Sequence, residues 1–440
     1  MRWMIVCIAL LGVVSIGGAQ QLMTLTVEQA VQIALDNSKS LHSSLMGVDY
    51  ADAKAGEVGA ARLPAFAFGG SYTRLSDVPA YVVSLPLPPP APTTFTLSPT
   101  IVNNYNLRLS VQQPVFTGFK LDAASAVAEN SVGAATQSYA RERSELVFNV
   151  KNSYWNLYKA IEFKKVIDEN VGQIQAHVAD VQKLMDQGMA TNNDVLKVQV
   201  QLSDAQLRQI DAANGVRLAA IGLNNTLGLP LATGVELKTA LPYQPRTFSD
   251  LDGLIQQALG QRADVKAMEF QVKAGEAGVT VAQSGWYPQV YLVGDYYYAR
   301  PNQRILPTQD LFKDTWDVGV SVSLNIWNWG TTVHQTDQAE AQLQQAKDAR
   351  SLLADGVALE VTRNYLNLNQ AKERISVAQK EVEQAEENYR ITDERFKEGL
   401  ALNSDLLDAE VALLQAHTNY TQAQVDFEVA EASLEQAIGE

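Results

Sequence analysis

The residues able to carry chemistry are few and far apart in this sequence of 440 residues. There is one cysteine, Cys7, so neither an intramolecular disulfide nor a cysteine metal site can form. No two of the four histidines have the spacing of metal ligands, and no Gly-Lys pair exists to build a P-loop. The sequence therefore predicts a protein that is not an enzyme and holds no metal or cofactor, unless folding brings distant histidines together.

The charge balance narrows the range of partners. The chain carries 34 Lys and Arg against 49 Asp and Glu, for a net charge of −15, and 46% of its residues are apolar. This apolar content is too high for a disordered chain. Nucleic acid is not expected as a partner, because neutralising phosphates requires clustered Lys and Arg.

The first residues have the pattern of a targeting segment. Arg2 precedes an apolar run over residues 3–16, which is followed by the small residues Gly17, Gly18 and Ala19. This order predicts a signal peptide over residues 1–19. A membrane anchor helix is the alternative, although the run is short for a membrane crossing.

The rest of the sequence repeats itself. Residues 27–35 resemble residues 251–259, and further on Gly188 matches Gly399 with an offset of 211. We predict repeat one over residues 20–228, a link over residues 229–250 and repeat two over residues 251–440. Repeat one also contains a longer loop, residues 76–100, with seven of the fifteen prolines; we expect this loop to lack regular structure.

Each repeat contains a pair of candidate membrane strands, at about residues 65–75 and 102–113, and at about 289–299 and 315–326. From Trp316 to Ile326 apolar and polar residues alternate strictly, which indicates a strand with one apolar face. About ten residues suffice for a tilted strand to cross a bilayer. A strand of a soluble sandwich is the alternative.

Aromatic residues lie at the ends of the second strand pair. Trp286, Tyr287, Trp327 and Trp329 fall at one end, and Trp316 falls at the other. Tryptophan and tyrosine favour the two membrane–water interfaces, so these side chains are predicted to lie at the two interfaces of the bilayer. Four strands cannot close a barrel, and open edges are unfavourable in lipid. Several chains must therefore pool their strands, and three chains would supply twelve.

Each repeat also contains two long helices. No proline occurs between Val115 and Leu229, and residues 119–187 could form about 100 Å of uninterrupted helix. Small or apolar residues recur at alternating spacings of three and four, as in coiled coils. These ladders run over residues 157–185, with Lys164 as a polar exception, and over residues 195–226, 368–396 and 406–437.

With these elements in order, the sequence resembles the TolC family of outer-membrane efflux proteins over essentially its whole length after the signal peptide. The most specific stretch is residues 395–410; residues 154–157, 262–265 and 286–288 also resemble family positions. The resemblance implies a mixed α and β fold: a trimeric twelve-stranded β-barrel in the outer membrane that continues as a periplasmic α-helical barrel. It also implies a periplasmic adaptor protein and an inner-membrane transporter as partners.

The resemblance further implies a periplasmic aperture at the helix hairpins. Asp405 and Asp408 fall on family positions whose carboxylates form rings there, and Asp194 is the matching residue in repeat one. Helix capping is the alternative role, because Asp favours the first turn of a helix. Ala401 and Lys197 depart from the family pattern, which leaves the locking contacts of the aperture open.

Three functions compete at this stage. The resemblance implies the outer-membrane channel of a tripartite efflux or type I secretion system. A periplasmic coiled-coil adaptor or scaffold is the alternative, but it has no use for two aromatic-flanked strand pairs. A nonspecific porin has no use for helices of this length. Neither the cargo nor the particular pump follows from the sequence.

Overall fold

The computed structural model describes residues 23–77, 79–86, 88, 94–238, 246 and 248–440. The predicted signal peptide, residues 1–19, lies outside these described residues. All structural statements below refer to the described part of the chain.

The fold mixes eight strands, eight α-helices and one short 3₁₀ helix (Ser284–Trp286) within the described residues. The strands are β1 (Met23–Leu25), β2 (Ala65–Arg74), β3 (Tyr81–Ser84), β4 (Thr94–Ser98), β5 (Asn103–Phe116), β6 (Val235–Leu237), β7 (Gln289–Arg300) and β8 (Lys313–Ser323). The helices are α1 (Val27–Asn37), α2 (Lys39–Ala60), α3 (Lys120–Asp186), α4 (Asn192–Thr226), α5 (Leu251–Gln261), α6 (Ala263–Gln283), α7 (Thr331–Lys397) and α8 (Asn403–Ile438). This composition confirms the mixed α and β fold class.

The chain divides into two compact units, and each unit takes elements from both repeats. Unit one comprises residues 23–43, 141–262 and 356–440, which include α4, α5 and α8. Unit two comprises residues 44–140 and 263–355, which include the main sheet and α6.

The main sheet of unit two has the strand order β2-β5-β7-β8, and every neighbouring pair is antiparallel. The two strand pairs of the repeats therefore join through β5 and β7. Strands β2 and β8 form the two edges of this sheet. The strand ends differ from the expected positions by at most three residues, which is the usual uncertainty when strand ends are read from sequence.

The proline-rich loop corrects one expectation. We expected no regular structure over residues 76–100, but β3 and β4 lie within this segment and pair as an antiparallel hairpin. Tyr81, Val82 and Val83 are aromatic or β-branched residues, which favour strands. The prolines indicated a loop but not the short β-rich stretches between them.

The long helices end at glycines in matching places. Gly188 follows α3 with φ +77°, and Gly399 follows α7 with φ +72°; glycine adopts these left-handed angles without steric cost. In each case the next residue donates a backbone hydrogen bond to the helix, Met189 to Leu184 and Leu400 to Arg395. This Schellman-type ending turns the chain into α4 and α8. None of the described helices combines the length and apolar composition of a membrane-spanning helix.

Unit one has an apolar core around the start of the chain. Strand β1 pairs with β6 in parallel, and the buried Tyr154 of α3 donates a hydrogen bond of 2.9 Å to the Leu25 carbonyl. A second apolar cluster joins the two helix hairpins, because Val195 of the first packs with Phe396 and Leu406 of the second. The hairpins are therefore held together by side-chain packing within one chain.

Candidate functional site

One face of the main sheet is apolar and exposed in the single chain. The strand registers bring large apolar side chains of all four strands onto this face. Val320, for example, keeps 63% of its surface exposed. An apolar face of this extent requires a partner or a lipid environment. Its members include Phe66, Phe68, Tyr72, Leu107, Leu109, Leu292, Tyr296, Tyr298, Trp316, Val318, Val320 and Val322.

The opposite face of the sheet is polar and contains paired charges. Arg108 of β5 makes a two-pronged ion pair with Asp295 of β7, with N–O distances of 2.8 and 2.7 Å. Arg304 pairs with Asp317 of β8, and its guanidinium lies 4.5 Å from the ring centre of Tyr297. Bidentate hydrogen bonds between charged groups fix the register of neighbouring strands and also neutralise the two charges. The Arg108–Asp295 bond joins the strands of the two repeats, which the sequence did not predict.

The five aromatic residues expected at membrane interfaces are all exposed in unit two. Trp286 and Tyr287 lie just before β7, and Trp327 and Trp329 lie between β8 and α7. The Trp327 and Trp329 rings pack edge to face, with centres 5.7 Å apart. Trp316 lies within β8 and faces Tyr296 of β7 in the strand register. Their contact with membrane interfaces stays a prediction.

Two of the three carboxylates expected at the aperture accept hydrogen bonds at the N-termini of helices α4 and α8. The Asp194 carboxylate accepts hydrogen bonds from the Thr191 hydroxyl and N–H, at 2.6 and 3.0 Å. These bonds, the hydroxyl contribution being larger, hold the pKa of Asp194 below its ordinary value. Asp405 accepts a bond of 3.1 Å from the Leu402 N–H. Both side chains thus act as caps.

Asp408 differs from the other two aperture candidates. It is exposed, and it lies beyond the first turn of α8. Capping therefore does not explain its charge. The assignment of a carboxylate ring stays a prediction for all three residues.

Two polar members of the helix ladders are explained by one carboxylate. Lys164, the exception in the α3 ladder, donates to Asp168 on the same helix. Gln209, which occupies a ladder position of α4, donates to the other oxygen of Asp168 at 2.8 Å. These bonds lower the pKa of Asp168, the Lys164 bond most and the Gln209 bond next. A polar residue at a ladder position was the sequence signal for this cross-helix contact.

The histidines meet carboxylates singly. No cluster of three or more metal-binding side chains occurs among the described residues. Three histidines each lie within 4 Å of one carboxylate oxygen. The pairs are His177–Glu410 at 3.4 Å, His334–Asp337 at 3.8 Å and His417–Glu386 at 3.6 Å. Sequence reasoning missed the first pair, although Glu410 beside the ladder residue Ala409 could have indicated it.

Helix α4 presents a second exposed apolar surface, in unit one. Leu207 and Ile210 keep 62% and 66% of their surface exposed, and Leu196, Val200, Leu218 and Ile221 are exposed on the same helix. Helix α7 shows a heptad spacing of exposed leucines at Leu359 and Leu366. Apolar stripes at heptad spacing are typical of helices that pack against another helix.

Comparison with known proteins finds a matching family and several relatives. The family model described as "Outer membrane efflux protein" matches residues 30–229 and 254–440, which is most of the chain. The Outer membrane protein TolC of Vibrio cholerae is 22% identical over 313 residues, covering 71% of this chain and 72% of the relative. The Probable efflux pump outer membrane protein TtgC of Pseudomonas putida is 22% identical over 425 residues, covering 94% and 82%.

A solved structure shares the fold. The outer membrane protein VceC of Vibrio cholerae superposes with a TM-score of 0.79 at 21% sequence identity. The match covers 94% of this chain and 96% of VceC. The order of strands and long helices described above is therefore a known architecture.

The cap at the first hairpin gives a testable prediction. Thr191→Ala removes the acceptor for the Asp194 N–H and the donor to its carboxylate, so the start of α4 should lose about 1 kcal/mol of stability. Hydrogen exchange of peptides covering residues 188–200 at pH 7 measures this loss. The hydrogen bonds from Thr191 lower the pKa of Asp194 in the folded protein. They therefore stabilise the helix start fully when the pH is above the ordinary pKa of aspartate. This stabilisation is lost as the pH falls through the lower pKa of the folded state. The difference between parent and variant should therefore shrink in strong acid.

Ser203→Ala is the matched control for this prediction. The Ser203 hydroxyl bonds only to the Gln199 carbonyl within the same helix, at 3.0 Å. Its removal should leave exchange nearly unchanged, since a serine inside a helix competes with the backbone. An equal effect of the two variants would contradict the capping role of Thr191.

Proposed function

This chain belongs to the outer membrane efflux protein family, and we propose that three copies form the outer-membrane channel of a tripartite efflux or type I secretion system. The observation that carries this proposal is the main sheet of unit two. It has one exposed apolar face, one polar face and two open edges, β2 and β8. These are the properties of a barrel segment whose outside contacts lipid and whose inside contacts water.

The open edges argue for closure between copies. In lipid, the N–H and C=O groups of β2 and β8 would have no water to bind. Pairing β8 of one copy with β2 of the next satisfies both edges. The four strands alternate in direction, so this pairing is again antiparallel and the alternation continues around the ring. Three copies would supply twelve strands.

The exposed stripes on α4 and α7 support the same assembly. A helix that exposes Leu207 and Ile210 to water gains free energy when a neighbouring copy covers them. In this proposal the long helices pack side by side with those of the next copies and continue the channel into the periplasm. An inner-membrane transporter and a periplasmic adaptor protein would load the channel there. This function requires no catalytic residue.

The adaptor and porin alternatives fit the molecule less well. A periplasmic adaptor or scaffold has no use for a sheet whose apolar face is exposed on four strands. A porin has no use for two 67-residue helices.

The assembly predicts a mass of three chains. Multi-angle light scattering, corrected for detergent, should give that mass for the purified protein. Changing Leu207 and Ile210 together to Glu places charges on the α4 stripe and should shift the mass towards one chain. Gln206→Glu, on the same helix but already polar and exposed, should leave the trimer intact. A parent protein of one chain with an intact sheet would refute the proposal.

The membrane position of the sheet predicts opposite outcomes for two neighbouring residues. Val320→Arg puts a charge on the apolar face and should cost about 2–4 kcal/mol near the bilayer midplane. Ser321→Arg lies on the polar face and should be tolerated much better. Folding yield into lipid bilayers and the unfolding midpoint in urea measure both. Equal damage would indicate a strand buried on both faces, as in a soluble core.

The proposed aperture predicts a change in cation block. Changing Asp405 and Asp408 together to Asn keeps their size and removes six charges from the trimer. Block of single-channel current by Mg²⁺ added from the hairpin side should weaken, because crowded carboxylates attract multivalent cations. Asp204→Asn with Asp211→Asn removes as many exposed charges from α4, away from the hairpins, and should leave block unchanged. Unchanged block in the first variant would show that the constriction lies elsewhere.

A further inference from the structure

A polar pair lies buried among the apolar helix contacts of unit one. His177 of α3 and Glu410 of α8 have side chains only 3% and 2% exposed. The His177 Nδ1 and Glu410 Oε1 atoms are 3.4 Å apart, close enough for an ion pair but without the alignment of a hydrogen bond. Neither the two ring nitrogens nor the two carboxylate oxygens have a hydrogen-bond partner in the described chain. A pair of this kind requires an explanation, since buried polar groups are normally hydrogen-bonded.

The pair borders a cavity of about 540 Å³ that is lined by α3, α7 and α8. The titratable groups that line it from α7 are Tyr389, Asp393 and Lys397, and those from α3 besides His177 are Glu169 and Asp180. Lys397 is engaged by Asp393 at 2.6 Å. Among the lining residues, His177 is therefore the group left to supply positive charge to Glu410.

Burial makes the charge state of this pair important. An ionised carboxylate that is removed from water without a positive partner is strongly unfavourable. Histidine is the side chain whose charge changes most readily within the physiological pH range. The charge of Glu410 also affects the neighbouring Tyr389. The pKa of Tyr389 is raised to about 12, mainly by burial and then by the negative charges of Glu410 and Asp393.

We propose that His177 and Glu410 form a proton-operated clasp between α3 and α8. With the proton on His177, an imidazolium–carboxylate pair joins the two helices close to their hairpins. Without it, Glu410 loses its positive partner and the contact between the helices loosens. This inference rests on the proposed aperture at the hairpins for its functional meaning, because the clasp would then make opening depend on pH.

Neighbouring packing places the clasp where it can act. The His177 ring packs edge to face on Phe396, with ring centres 5.2 Å apart, and Phe396 lies three residues before the hairpin glycine Gly399. Leu406 belongs to the same apolar cluster and lies one helical turn before Glu410. A change in the distance between His177 and Glu410 therefore reaches both sides of the second hairpin.

The direction of the pH effect follows from linkage. A charge pair that exists only when the proton is bound stabilises the folded contact on the acid side, and the stabilisation is lost as the pH rises. Protection of α3 and α8 around the pair should consequently fall between pH 5.5 and pH 7.5.

Hydrogen exchange of the purified trimer in detergent tests the clasp. Peptides covering residues 172–182 and 405–415 are followed at both pH values, with rates corrected for intrinsic exchange. The parent should lose protection in both peptides at the higher pH. His177→Gln and Glu410→Gln each remove one partner of the ion pair, so neither variant should show such a dependence. Two variants are used because either one alone could disturb packing.

The chain offers a matched control in His417 and Glu386. This pair also joins α8 to a neighbouring helix, at 3.6 Å, but its side chains are 33% and 57% exposed. Exposed ion pairs contribute little, so His417→Gln should behave like the parent. Protection in the parent that is independent of pH, or a loss of pH dependence in His417→Gln equal to that in His177→Gln, would overturn the clasp.

Single-channel conductance of the same four proteins separates the clasp from the aperture. If the parent channel opens more readily at pH 7.5 than at pH 5.5, and Glu410→Gln removes this difference, the clasp controls the aperture. If exchange shows the clasp but conductance does not depend on pH, the clasp stands and its link to the proposed aperture is wrong.

Discussion

The backbone of the edge strands sets the main constraint on this molecule. A four-stranded sheet leaves one side of β2 and one side of β8 without backbone partners, and its apolar face is exposed. In water such a face would drive aggregation, and in lipid such edges would be left unsatisfied. Only joining the sheet to other copies resolves both problems at once. The proposed trimer is thus a consequence of the sheet and not an addition to it.

The contacts between the long helices bury little area per residue. Many ladder positions are alanine, such as Ala371, Ala378 and Ala409, which are buried but cover little area. Helices with small contacts approach closely but gain limited free energy from each contact. Polar residues inside the ladders are therefore tolerated where they find partners, as Lys164 and Gln209 do at Asp168.

The sequence predicted the elements well and the contacts between them poorly. Strict alternation from Trp316 located β8, and proline-free heptads located α3 and α7, because both patterns are local and repeated many times. The Arg108–Asp295 bond could not be predicted in this way, because its partners lie 187 residues apart and meet only when the repeats join at β5 and β7. The β3–β4 hairpin was missed for the opposite reason, since a few strand-forming residues were outweighed by nearby prolines.

The two repeats differ in the helices that follow the hairpin glycines. The helix endings at Gly188 and Gly399 are nearly the same, as expected if both repeats must turn in one way. The following helices diverge: repeat one has Lys197 and Gln199 where repeat two has Asp408 and Glu410. A structural role alone would favour the same solution twice. The second hairpin instead carries the exposed and the buried carboxylate, so it is the half of the duplicated fold on which control of an opening would be concentrated.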